Sequence, residues 1–146
     1  MKNVLLICMF ALGLAACSHQ HPEEATDHTA HNAPTALALN GQERWQADEA
    51  TNANIAQLQE LMQEHLSQPD TNSLEAVNEL GHVLQLGFDE VFKECRMKGP
   101  EHDMLHVYLM PMLDDLKAIK QPDLATATAA RDRMAERLAL YQTYFK

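Results

Sequence analysis

At 146 residues, 46% of them hydrophobic, the chain has material for one domain built on a single core. Its 11 Lys and Arg stand against 21 Asp and Glu, a formal net charge of −10. That balance excludes nucleic acid as a partner, because binding phosphate takes a basic patch.

The chain opens with Lys2, an apolar run from Val4 to Leu14, and then Leu14-Ala15-Ala16-Cys17. These are the charged start, apolar middle and small-residue exit of a secretory signal, so residues 1–16 are not expected in the fold. The run is shorter than the ~20 residues a membrane span needs. A cysteine directly after the small residues makes the stretch resemble a bacterial lipoprotein signal. The resemblance implies cleavage before Cys17, lipid (palmitate) on its thiol and new amino group, and, with Ser18 following, an outer-membrane anchor facing the periplasm. Cys8 then leaves with the signal and Cys17 takes the lipid. Cys95 becomes the one thiol of the mature chain, without a disulfide partner.

Residues 17–35 are rich in His, Glu, Ala, Thr, Asn and Pro, with no large apolar side chain between Ser18 and Pro34, a composition that cannot offset the entropy of ordering. A flexible tether is expected. Its His19, His21, His28 and His31 either bind Cu(II) or Zn(II) loosely or stand in a solvated spacer.

The domain is expected over 36–146. Alternating apolar positions from Ala36 to Leu39 meet Asn40-Gly41, a signal for a short hairpin or extended arm, and Trp45 reads as a core plug. Four helical patterns follow. The first, about Asp48 to Leu66, repeats Ile55, Leu58, Leu61, Met62 and His65 at threes and fours, with Met62 in the core and His65 half exposed. The second, about Ser73 to Cys95, carries Leu74, Val77, Gly81, Leu84, Phe88, Val91 and Cys95 inward; Asn72 and Glu75 suit a capping pair, and His82 falls on the surface. The third starts at Pro100 with Leu105, Leu109, Met112 and Leu116 as its stripe, and Pro111 is expected to kink it. The fourth, from Asp123, places Leu124, Ala127, Met134, Leu138, Tyr141 and Phe145 inward with Arg131 as its charged break. Four helices on short links predict an all-α, antiparallel up-and-down four-helix bundle. The turn after Cys95 then lies at the same end as Trp45, Tyr141, Tyr144 and Phe145.

That turn holds most of the chain's distinctive chemistry. Between Cys95 and His106 stand a thiol, the Met97 thioether and two imidazoles, His102 and His106. Gly99 is where a helix would end in a left-handed residue and Pro100 is where the next would begin. His102 and His106, four apart, share one helical face about 6 Å apart along the axis. Met110 is about 12 Å beyond His102 and is assigned to the core. Soft sulfur with imidazole fits Cu(I) at Cys95, Met97, His102 and His106. Because Cu(I) accepts two or three ligands, one histidine can serve as gate or second shell. Zn(II) is the alternative, with Cys95, His102, His106 and a fourth ligand from Glu101, Asp103 or water. A thioether adds much for Cu(I) and little for Zn(II), so Met97 separates the two.

The run Cys95-x-Met-Lys-Gly-x-x-His-x-x-Leu-His106-x-Tyr-Leu-x-Pro111, with Asn40-Gly41 and Trp45 before it, resembles small bacterial envelope proteins over most of residues 37–117. The resemblance implies an association with heavy-metal or copper handling. The function expected is therefore an envelope lipoprotein, not an enzyme, that sequesters or delivers periplasmic copper, with the membrane and an envelope metal-transport protein as partners. The alternative is an adaptor lipoprotein that binds another envelope protein without metal. A thiol enzyme with Cys95 as nucleophile ranks below both, since no oxyanion-type loop is readable.

Overall fold

The computed structural model describes residues 34–146, so the expected signal, Cys17 and the tether histidines lie outside the described residues. Helix α1 spans Glu49–Ser67 and begins where the Asp48 carboxylate accepts the Thr51 N–H at 2.7 Å. Helix α2 spans Leu74–Glu94. Its cap is Ser73, whose hydroxyl accepts the Ala76 N–H at 3.1 Å, so the expected Asn72–Glu75 pair is displaced by one residue. Helix α3 spans Pro100–Ile119, and α4 spans Leu124–Ala139 behind the Asp123 cap. The fourth pattern is not one helix, because α4 stops at Ala139 and a single turn, α5, follows at Tyr141–Tyr144.

The helices form the expected bundle. α1 packs chiefly on α2 and α3 on α4, and the pairs close through contacts of α2 with α3 and α4 and of α1 with α4. Ile55, Leu58, Val77, Leu84, Phe88, Val91, Leu105, Leu109, Met112, Leu116, Met134 and Leu138 fill the interior at no more than 1% exposure. Two close approaches set the spacing of the helices. A Cβ on Gly81 would stand 2.8 Å from Ile119 Cγ2, and one on Gly87 would stand 2.5 Å from Leu58 Cδ2.

No strand forms among the described residues, only isolated bridges. Asn40 and Glu43 exchange backbone hydrogen bonds around Gly41, which takes the left-handed φ of 65° that glycine tolerates. The arm continues to Trp45, whose N–H donates to the Tyr144 carbonyl at 2.7 Å while the Lys146 N–H returns to the Trp45 carbonyl at 2.9 Å. This pairing needs an extended Phe145. It gives a reason for the chain to leave the helix, and it ties the arm to the C-terminus at one end of the bundle. Trp45 is half buried rather than a plug, with its indole N–H donating to the Ala38 carbonyl at 2.7 Å.

Two further expectations shift. Leu124, expected inside, is 43% exposed on the first turn of α4. Met110, assigned to the core, is 50% exposed. Arg131, the charged break of the inward stripe, is indeed buried: it is 6% exposed and donates to the Thr71 carbonyl at 2.7 Å and to Asn72 at 3.1 Å, pinning the α1–α2 loop to α4. Helix α3 runs on through Pro111, whose side is exposed.

Candidate metal-binding corner

Cys95 is the C-cap of α2, with its N–H still donating to the Val91 carbonyl at 3.1 Å and its own φ and ψ, −56° and 128°, already outside the helix. The next residue is fixed from across the bundle, since the Arg96 N–H donates to Asp48 Oδ2 at 2.6 Å. The Arg96 guanidinium turns back onto the carbonyls of Lys93 and Cys95 at 2.7 and 3.0 Å, satisfying the end of α2. Glu94 accepts from Asn54 at 2.9 Å, a second tie between the end of α2 and α1. Gly99 has a positive φ of 70°, but with ψ of −153° it serves as the N-cap of α3 rather than the left-handed end of α2. Residues 95–98 form the link between the two helices.

Asp48 therefore holds two structures with one carboxylate. Burial alone would raise its pKa, yet the hydrogen bonds from Thr51 and Arg96 outweigh it and hold the group below its ordinary value of 3.8.

The thiol and both imidazoles come together. Cys95 Sγ lies 3.7 Å from His102 Nδ1, and His102 Nε2 lies 3.1 Å from His106 Nε2. All three are half buried and line one cavity of about 210 Å3, walled by Val91, Phe92, Leu105 and Leu109. The His106 ring has the Phe92 ring 6.4 Å away, centroid to centroid. Behind Cys95 the bundle end is aromatic: Tyr141 stacks on Phe145 at 5.0 Å, and Tyr108 meets both. Burial pushes the Tyr141 phenol up, and the nearby Asp48 and Cys95 add to the rise.

The order is a chain, not a cage. His102 presents one ring nitrogen to the thiol and the other to His106. Among the described residues, no three His, Cys, Asp or Glu side chains are disposed to hold one ion as they stand. Both edges lie within hydrogen-bond reach, the longer one because sulfur is the larger atom. A 3.1 Å separation between two ring nitrogens is a hydrogen-bond length. The 3.7 Å Sγ–Nδ1 edge also falls within the about 3.5–3.8 Å that zinc bonds of about 2.3 Å to sulfur and 2.0–2.1 Å to nitrogen span between tetrahedral and trigonal angles. With His102 protonated on Nε2 and donating to His106, its Nδ1 lone pair faces the thiol. A metal-ligating histidine ordinarily donates its other ring N–H to an acceptor that fixes the ring, and here His106 would be that acceptor.

Met97 lies at the same turn, half buried against the core between the exposed Arg96 and Lys98, but it does not line the cavity with Cys95. Asp103 lies on the other side of His106, in a separate groove with Met110. At the far end of the bundle Met62 and Met112 are core side chains. His65 is half buried there, and burial, aided by the Arg131 charge, lowers its pKa from 6.5. His82 is exposed.

No family model matches the chain, and no curated protein or solved structure matches it.

Proposed function

We propose that the Cys95 corner binds a soft metal ion, Cu(I), and that the protein sequesters or delivers copper as a lipid-anchored protein of the bacterial cell envelope. The observation that carries this reading is the 3.7 Å edge between Cys95 Sγ and His102 Nδ1, set in an apolar-walled cavity with His106 hydrogen-bonded behind. Thiolate and imidazole on that edge are two good Cu(I) ligands, and Cu(I) can take one more. Met97 would supply it by swinging a flexible thioether over the turn, a motion its three rotatable bonds permit. His106 serves as the group that fixes His102, or as a third ligand after the His102 ring turns. Zn(II) is the second metal the corner would take, using Cys95, both histidines and water. Binding either ion expels the thiol proton, so acid weakens binding.

The membrane anchor at Cys17 and an envelope metal-transport protein as donor or acceptor belong to the same proposal, and no catalytic step is assigned to Cys95.

X-ray absorption on the Cu(I)-loaded protein tests the ligand set. A mixed shell with two sulfurs and one or two imidazole nitrogens supports it. A shell of nitrogens alone, unchanged in Cys95→Ser, would remove the corner from consideration and favour the metal-free adaptor reading.

A further inference from the structure

Helix α3 carries three methionines, of which Met104 and Met112 are buried while Met110 is 50% exposed. Met110 stands four residues after His106, as His106 stands four after His102, so the three form a ladder on α3 with steps of about 6 Å along the axis. His106 is shared by two depressions. On one side is the cavity with Cys95 and His102; on the other is a groove of about 350 Å3 lined by Asp103, Met110 and Pro111 together with Pro34 and Thr35. Single exposed apolar residues are ordinary on any surface. Met110 differs in that its thioether, an imidazole and a carboxylate line one groove, and that imidazole is also a wall of the thiol cavity.

We propose that His106 and Met110, with Asp103 at the rim, form an outer position that captures Cu(I) and passes it inward to Cys95 and His102. The inference rests on the reading of the inner corner as a Cu(I) site. Imidazole and thioether bind Cu(I) more weakly than thiolate, so the ladder runs downhill toward Cys95. In the transfer the bond from copper to the Met110 sulfur breaks as the bond to the Cys95 sulfur forms. The thiol proton leaves to water, and the metal stays Cu(I) throughout. His106 keeps hold of the ion while its ring turns from the groove to the cavity. Met110 is too far along α3 to share an ion with His102, so it acts on entry and not on final affinity.

The test follows Cu(I) uptake from its coloured bathocuproine disulfonate complex by stopped flow, and the equilibrium partition of copper between that chelator and the protein. It uses the full chain carrying Cys8→Ser and Cys17→Ser, so that Cys95 is its only thiol. Met110→Leu keeps size and apolarity at an exposed position and removes only the sulfur. The expected result is uptake slowed about tenfold, a barrier about 1.4 kcal/mol higher, with the equilibrium partition unchanged. Uptake at the parent rate overturns the outer position. An unchanged rate with a weakened equilibrium makes Met110 a ligand of the inner ion, which also overturns it. Failure of the underlying reading is separate: the parent chain itself would take no copper from the chelator.

Discussion

Asp48 and Arg96, 48 positions apart in sequence, are joined by a 2.6 Å hydrogen bond from the Arg96 N–H to a carboxylate that also caps α1. The residue that starts the first helix thereby holds the link carrying Cys95. Asp48→Ala is expected to destabilise the domain by about 1 kcal/mol through the lost cap, and to loosen the corner as well. Chemical denaturation measures the first effect, and amide exchange at Arg96 the second.

The same carboxylate predicts a pH dependence. Its folded-state pKa is depressed, so its contribution is fully present above the ordinary value of 3.8 and is lost as pH falls through the lower folded value. Asp48→Asn can still cap α1 but carries no charge. Its stability curve should fall less steeply than the parent's below about pH 4, near the ordinary carboxylate value.

Helix spacing gives a third expectation. Gly81→Ala and Gly87→Ala each gain up to about 1 kcal/mol in helix propensity but drive a methyl into buried Ile119 or Leu58. Overpacking of this kind costs about 1–3 kcal/mol, so both variants should be less stable than the parent by thermal or urea unfolding. A stabilised variant would show that the helices separate more easily than their packing indicates.

Two methionines two residues apart on α3 should behave oppositely. Met112→Ala empties a fully buried site and is expected to cost about 2–5 kcal/mol. Met110→Ala, at an exposed site, should change stability by less than about 0.5 kcal/mol.

These contrasts also show what could be read from the sequence. Periodicity located all four helices and the end of the bundle holding the corner, because burying one stripe per helix is what folding rewards. It placed Met110 inside on its distance from His102 alone. At 3.6 residues per turn, Met110 is turned by more than a quarter turn from the line through Leu105, Leu109, Met112 and Leu116, a reckoning the spacing allows. Leu124 was misplaced because a first-turn residue can satisfy the stripe and still lie beyond the neighbouring helices. Arg131 falls on the inward stripe as its charged break, but its partners, the Thr71 carbonyl and Asn72, come from a loop that no periodicity describes. Within the corner, spacing brought Cys95, His102 and His106 to one cavity. It could not show that His102 would stand between the other two, since that depends on ring orientations within a cavity walled by Phe92, Leu105 and Leu109.

The central claim is most directly tested by measuring Cu(I) and Zn(II) affinities side by side for the parent, Cys95→Ser and Met97→Leu. Cys95→Ser should weaken both metals heavily. Met97→Leu should weaken Cu(I) while leaving Zn(II) nearly unchanged, because a thioether is a ligand to the first ion and hardly to the second. His102→Ala and His106→Ala should each cost less Cu(I) affinity than Cys95→Ser. Cu(I) binding that is the same in Cys95→Ser as in the parent would contradict the account.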